Sequence, residues 1–153
     1  MASIKQALNT AAAMTITLSS LANGAGRAAT AIDNTTGLYL DADVRVKVKT
    51  NAAGTSATGY CDVYLLSSED GTNYDDTFGG TDAAATPVNA RKLGTMTTNV
   101  NATTYVGVFS VASLGITLPA KWSIIVVNNS GAALDATAGN HSVTYREKYL
   151  TVA

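Results

Sequence analysis

The chain has 153 residues, a single cysteine and a formal net charge of −1, and only 14% of its side chains are charged. This length predicts one domain that buries about 68 to 70% of its unfolded surface. The charge balance excludes the basic excess that is typical of nucleic-acid binders. One cysteine cannot form an intramolecular disulfide, and no run of about 20 apolar residues predicts a membrane span. We therefore expect partners that are neither nucleic acid nor membrane.

The first 13 residues carry no clear pattern and are predicted to be an N-terminal arm, flexible or ordered on binding, or a short helix with Ile4 and Leu8 on one side. They lack the basic and then apolar layout of a secretory signal. The single cysteine favours synthesis in a reducing compartment. Residues 14–153 are predicted to form one β-domain. Its first strands are expected over residues 14–19, which alternate apolar and polar side chains, and over residues 27–33.

Residues 40–50 show the clearest periodicity in the chain, because apolar and charged side chains alternate strictly. Such a strand has one face for a core and one for water or a partner. The charged face carries three cations at alternate positions, Arg45, Lys47 and Lys49, over a span of about 13 Å at about 3.3 Å per residue. Two interpretations remain open: a solvated outer face, or a face that docks another protein.

Further strands are predicted along the rest of the chain, separated by turns rich in Gly, Asn and Asp. Residues 60–67 carry bulk on both faces, and Asp70-Gly71 predicts a hairpin after them. Residues 75–90 lack periodicity and are the best candidate for a functional loop. Later strands are expected over residues 93–100, 105–111, 121–128 and 141–152. Eight or nine strands without a long helix predict a two-sheet antiparallel β-sandwich, with jelly-roll connectivity preferred and an immunoglobulin-like sandwich as the alternative.

Residues for catalysis are scarce, and we expect neither an enzyme nor a bound metal or cofactor. His141 is the only histidine, and no nucleophile motif accompanies it. Cys61 and His141 are too few ligands for a structural zinc site. Carboxylates gather around the predicted hairpin and loop, where they are interpreted as solvated turn residues, with a Ca²⁺ site as the alternative: Glu69, Asp70, Asp75, Asp76 and Asp82.

Aromatic side chains near this loop suggest a second kind of site. Tyr60 and Tyr64 precede the predicted hairpin and Tyr74 follows it, next to Asp75 and Asp76. Aromatic rings beside acids and amides are typical of sugar-binding surfaces, although tyrosine is also an ordinary strand residue. The loop from Tyr74 to Asp76 is therefore a candidate glycan-binding loop.

The segment Ser-Ser-Glu-Asp-Gly-Thr-Asn-Tyr at residues 67–74 resembles a hairpin that is frequent in small β-sandwich virion proteins of tailed bacteriophages and prophages. Four further stretches share this likeness, which spans most of residues 14–153: residues 20–27, 32–36, 52–60 and 118–122. The resemblance implies a virion structural protein, first of all a capsid decoration or cement protein. Its partners would be the major capsid protein, other virion proteins or further copies of itself. A tail or baseplate protein that binds host-surface glycan is the alternative.

Overall fold

A computed structural model of the chain describes residues 3–152, which form two packed antiparallel β-sheets. The first six strands are β1 (Ile4–Leu8), β2 (Ala12–Met14), β3 (Gly26–Ala28), β4 (Ile32–Asp33), β5 (Asp41–Lys49) and β6 (Tyr60–Ser68). The others are β7 (Ala83–Ala84), β8 (Arg91–Thr97), β9 (Thr104–Ser110), β10 (Lys121–Asn129) and β11 (Ser142–Val152). Two 3-10 helices, Val111–Leu114 and Ala138–Asn140, complete the elements. Within residues 3–152, none of the helices has the length and hydropathy to cross a membrane.

The pairing of the strands defines a jelly roll. Sheet A has the order β1-β11-β5-β9, with β2 also on β11; sheet B has the order β7-β3-β10-β6-β8, with β4 also on β10. Strands from the start of the chain pair with strands from its end, and the middle strands pair with one another, as in a long antiparallel hairpin rolled into two sheets. The predicted two-sheet sandwich is confirmed, with the preferred jelly-roll connectivity rather than the immunoglobulin-like one.

The main core lies between the two sheets and uses the alternation seen in the sequence. Val44, Val46 and Val48 of β5 are fully buried and face the other sheet. Trp122 of β10 is also fully buried, and its ring meets that of Tyr145 edge to face at 5.4 Å between centroids. The predicted apolar face of β5 is therefore confirmed, although Leu40 precedes the strand and is 47% exposed.

A second apolar cluster covers the outer face of sheet B. It contains Ala28, Leu66 and Ile125, and partly buried side chains of the long segment between β6 and β8 pack on them, including Tyr74 and Phe78. Central strands β6 and β10 are thus buried on both faces. This long segment, residues 69–90, is called the covering loop below.

The prediction of a hairpin at Asp70-Gly71 is wrong. β6 pairs with β8, and the two strands are separated by the whole covering loop rather than by a tight turn. A turn does form there, because the Asp70 carboxylate accepts the backbone N–H groups of Thr72 and Asn73, both at 2.8 Å. These bonds close a local turn without needing a paired strand. Asp-Gly chemistry therefore predicted the turn but not the pairing of the next strand.

The N-terminal segment is part of sheet A rather than a helix. Ile4–Leu8 pair with residues 148–152 of β11, and Ala12–Met14 pair with residues 143–145. β11 is long enough to pair with both, so an extended backbone satisfies more hydrogen bonds here than one isolated helical turn would. Residues 1 and 2 of the predicted arm lie outside the described part of the chain. The strand expected over residues 14–19 is wrong, because β2 ends at Met14 and residues 15–19 form no strand. The strand expected over residues 27–33 is split into β3 and β4.

Asp41, at the start of β5, is buried instead of lying on the wet face that its alternation predicted. Its carboxylate accepts hydrogen bonds from Lys148 Nζ at 2.8 Å, Ser110 Oγ at 2.8 Å and the Ala112 N–H at 2.7 Å. Burial raises the pKa of Asp41, but these donors outweigh it and hold the pKa below its usual value. Lys148 Nζ also contacts Asp43 Oδ1 at 2.6 Å, so both acids of β5 are neutralised within the chain.

Two glycines make room for one aromatic ring where β8 meets β9. A Cβ at Gly94 would lie 2.7 Å from Phe109 Cε1, and a Cβ at Gly107 would lie 2.8 Å from Phe109 Cε2. The ring thus occupies the side-chain space of both positions and cannot retreat from one without approaching the other. Phe109 packs against the main core, so this contact closes one side of the sandwich.

Gly94→Ala is therefore expected to destabilise the protein by about 1–3 kcal/mol, the usual cost of overpacking a filled site. Gly79→Ala is the control, because no heavy atom lies within 4 Å of its added Cβ. Urea unfolding followed by tryptophan fluorescence measures both. Equal midpoints for the two variants would show that the Phe109 ring has room to move.

Asp41→Asn is expected to cost about 1.5–3 kcal/mol at pH 7, the range for a hydrogen bond to a charged group. Because the folded pKa of Asp41 is lowered, its contribution is present above the unfolded value of about 3.9 and is lost as the pH falls through the folded pKa. Urea unfolding at pH 7 and at pH 2 should show the gap to wild type closing in acid. Asp43→Asn, whose side chain is 33% exposed, is the control with a smaller loss. A gap for Asp41→Asn that is unchanged at pH 2 would contradict the prediction.

Candidate functional site

The outer face of sheet A, called the A face below, carries the three cations that the sequence singled out. Arg45, Lys47 and Lys49 point outward because the alternate residues of β5 are buried in the core. β5 lies between β9 and β11, so neighbours flank these side chains on both sides. Arg45 pairs across the strands with Val108 and Thr144, and Lys47 with Val106 and Ser142. The A face is thus a sheet surface with a basic centre.

The three cations differ in how much of their charge the chain itself satisfies. Lys49 Nζ lies 3.9 Å from Asp135 Oδ2, at the edge of ion-pair distance. Lys47 Nζ donates to the Gly139 carbonyl at 3.3 Å. Arg45 is exposed and makes no ion pair or side-chain hydrogen bond within residues 3–152. Among the three, Arg45 is therefore the side chain most available to a partner.

Two valines that the sequence did not single out lie beside these cations. Val106 and Val108 of β9 point outward and are 47% and 62% exposed. Both belong to the strand predicted over residues 105–111, but nothing in the sequence indicated that their face is left uncovered. β9 is the edge strand of sheet A, so the valines border the basic centre on one side. Apolar side chains next to an available arginine are typical of protein interfaces.

The predicted glycan-binding loop lies on the opposite side of the molecule, over sheet B. Tyr74 meets Phe78 edge to face at 4.9 Å between centroids, and both rings pack on the second apolar cluster. Both also line an open groove of about 910 Å³ between the covering loop and the segment around Gly24. The ring of Tyr74 thus covers part of the outer face of sheet B and also forms part of the wall of the groove.

The two acids after Tyr74 fix the covering loop. Asp75 accepts the Ser67 N–H at 3.0 Å and the Ser67 hydroxyl at 2.5 Å. Asp76 accepts three successive N–H groups, from Val88, Asn89 and Ala90, at 2.7 to 3.1 Å. Burial raises the pKa of Asp76, but these hydrogen bonds lower the pKa by more, so it lies below its usual value. Both acids therefore hold the covering loop in place. Within residues 3–152, no group of three His, Cys, Asp or Glu side chains is placed to hold a metal.

His141 and Cys61 occupy separate structural positions. His141 accepts the Lys49 N–H through Nδ1 at 3.3 Å, and its Nε2 lies 2.8 Å from the Asp135 carbonyl, which assigns the proton to Nε2. Cys61 is fully buried in β6, where burial raises the pKa of its thiol to about 11. The thiol is thus neutral at pH 7 and unreactive.

Comparison with known proteins adds little to this description. No protein-family model matches the chain, and no curated protein matches it. Among solved structures, the chain is similar to one in the "Structure of infectious bursal disease virus Gx strain", with 17% identity and a TM-score of 0.30. The alignment covers 98% of this chain and 32% of the viral chain, so this chain spans about a third of that protein's length. A likeness this weak carries no argument about the fold or the function of the present chain.

Proposed function

We propose that this chain is a structural component of a virus particle, and within that class a capsid decoration or cement protein of a tailed bacteriophage. One observation carries the proposal. The outer face of sheet B is covered by the chain's own loop, whereas the A face has no such cover among residues 3–152. The A face combines an available arginine with two exposed valines. It therefore suits docking onto another protein better than any chemical step.

Two further points support this assignment. The sequence of residues 67–74 and the stretches around it resemble small virion proteins of tailed phages. The jelly-roll connectivity also occurs in viral capsid domains, although it serves lectins and cupins as well, so the fold alone does not decide the function. On this proposal the chain is made in the cytoplasm of the bacterial host and then joins the particle, where the major capsid protein is its partner.

Binding would proceed through the A face. Val106 and Val108 would lose water against an apolar patch of the shell, and Arg45 would pair with a carboxylate of the shell protein. Each contact is modest, but a shell repeats the same site many times. A copy that bridges two neighbouring subunits gains from the high effective concentration of its second site. Reinforcement of the shell follows from such bridging by a rigid sandwich.

Arg45→Glu is expected to lower the number of copies on purified particles, since a like-charge contact at a docking surface costs several kcal/mol, or at least about tenfold in affinity. Arg91→Glu is the control, because Arg91 is also exposed but lies on β8 of the other sheet. Copy number is measured by quantitative mass spectrometry of particles incubated with each variant. Full occupancy with Arg45→Glu, or equal loss with Arg91→Glu, would exclude docking through the A face. Deletion of residues 1–13 is unsuitable here, because it removes β1 and most of β2.

The groove beside Tyr74 favours a second candidate, a tail or baseplate component that binds host-surface glycan. Its wall holds the Tyr74–Phe78 pair, and its rim is polar, with Thr72, Asn73 and Asn89. Sugar rings stack on aromatic side chains while neighbouring amides and hydroxyls bind their hydroxyl groups.

On this alternative, a glycan array should show reproducible binding that Tyr74→Ala abolishes. Tyr60→Ala is the control, because Tyr60 is an exposed tyrosine that does not line this groove. Thermal unfolding of both variants shows whether the loss of Tyr74 has also loosened the covering loop. No binding by the wild-type protein, or equal loss with Tyr60→Ala, would exclude glycan recognition in this groove.

A further inference from the structure

Sheet A continues beyond its central strand as a two-stranded extension. β5 pairs with β11 only as far as Lys148, opposite Asp41. From that point β11 pairs with β1 alone, through residues 148–152. β1 and residues 148–152 are called the terminal ribbon below. Because no further strand of residues 3–152 pairs with β1, the free edge of the ribbon is also the edge of the sheet.

One face of the ribbon is apolar and exposed. Ile4, Leu8, Leu150 and Val152 share this face, and they are 72%, 50%, 58% and 70% exposed. Ile4 lies directly opposite Val152. Leu150 lies opposite Gln6 and therefore diagonal to both Ile4 and Leu8, so it joins the apolar side chains into one patch. Seven of the twelve exposed large hydrophobic side chains of residues 3–152 lie on the ribbon or at its base: Ile4, Leu8, Leu38, Leu40, Tyr149, Leu150 and Val152. Concentrated exposure of this kind marks an interaction surface.

The free edge of β1 carries a single lysine as protection against pairing with another strand. Edge strands are normally blunted by proline, bulges or several charged side chains, above all lysine. β1 contains no proline, pairs with β11 without a bulge, and carries one charge, Lys5, on the face opposite Ile4. Lys148 is the only charged residue on the apolar face, and Asp41 and Asp43 already neutralise it. A strand that docks here therefore leaves no charge of the apolar face buried without a partner.

We propose that the occupant of this edge is a second copy of the same chain, paired through β1 in antiparallel orientation about a two-fold axis at Gln6. In this register Gln6 faces Gln6 of the second copy. Ile4 faces Leu8 and Lys5 faces Ala7 in both directions, as a two-fold interface requires. The two apolar ribbon faces then join into one strip on the same side of a continuous sheet.

The sequence of β1 itself selects a second copy over an unrelated strand. β1 has an apolar side chain two residues before its central Gln6 and another two residues after it. When two copies pair about Gln6, Ile4 of one copy therefore meets Leu8 of the other on the exposed face. On the other face the cation meets alanine, and the two lysines are never directly opposed, which avoids the repulsion of like charges across strands. Two glutamine side chains at the axis can bond to each other. Charge and shape are thus self-complementary in one register.

Five paired residues bury less than the roughly 1,600 Å² of a standard interface, so we expect a dimer at high protein concentration or at neighbouring sites on a surface. This self-association uses one edge of sheet A, whereas the proposed docking face uses Arg45 and the valines of β9 at the other edge. The two proposals are therefore independent, and failure of either leaves the other in place.

Cross-linking of Gln6→Cys tests the register. The axis brings the two new thiols together, so mild oxidation at high protein concentration should yield a covalent dimer. Val108→Cys, an exposed site on the opposite edge strand, is the control and should stay monomeric. Cys61 does not interfere, because it is fully buried. A mixture of Lys5→Cys and Ala7→Cys should cross-link more than either variant alone. Absence of the Gln6→Cys dimer, or equal yield from Val108→Cys, would overturn the proposal.

Sedimentation velocity tests the apolar strip without any cross-link. Wild-type protein should shift from monomer toward dimer as its concentration rises. Leu150→Glu should remove this shift, because two carboxylates would then lie in the joined strip, while Val108→Glu should leave it unchanged. Both side chains are exposed, so both variants are expected to fold, and circular dichroism verifies this. A wild-type protein that stays monomeric throughout, or larger open-ended assemblies, would contradict a two-fold dimer through β1.

Discussion

The strict alternation of β5 is the constraint on which the rest of the structure depends. Because side chains of a strand alternate between faces, burial of Val44, Val46 and Val48 against sheet B forces Arg45 and Lys47 onto the A face. A slip of one residue would exchange the two sets and place cations in the core, so the register is fixed by the cost of burying charge. The core of the sandwich and its candidate docking face are therefore two sides of one pattern.

The sequence predicted the sandwich wherever a strand carries its own information. β5, β9, β10 and β11 were visible in the sequence as alternating or continuous apolar runs. β1 was not predicted as a strand, because its five residues show no clear pattern by themselves and its partner β11 lies more than 130 residues later. The Asp70 turn was predicted correctly, whereas the length of the covering loop depends on rings that pack on sheet B. Local chemistry fixes turns, and distant packing decides which strands they join.

The candidate site was predicted in composition but not in detail. Alternation alone placed three equivalent cations on one face. In the structure, Lys49 approaches Asp135 and Lys47 donates to the Gly139 carbonyl. Both partners belong to the loop before β11, which the alternation of β5 could not predict. For Tyr74, Asp75 and Asp76, sequence showed an aromatic and two acids without periodicity. Only the fold reveals that Asp76 binds backbone groups of residues 88–90, which turns a candidate ligand site into the anchor of a loop.

Pairing of β1 with β11 also determines when sheet A can be completed during synthesis. The ribosome makes β1 before the other strands of this domain, but its partner residues 148–152 come after all of them. Sheet A is therefore incomplete until nearly the whole domain has left the ribosome, and the apolar side chains of β1 stay unpaired meanwhile. Such long-range pairing slows folding and extends the time during which an exposed edge meets other nascent chains. Completion of sheet A is therefore a late event in the synthesis of this domain, whereas β6 can already pair with β8.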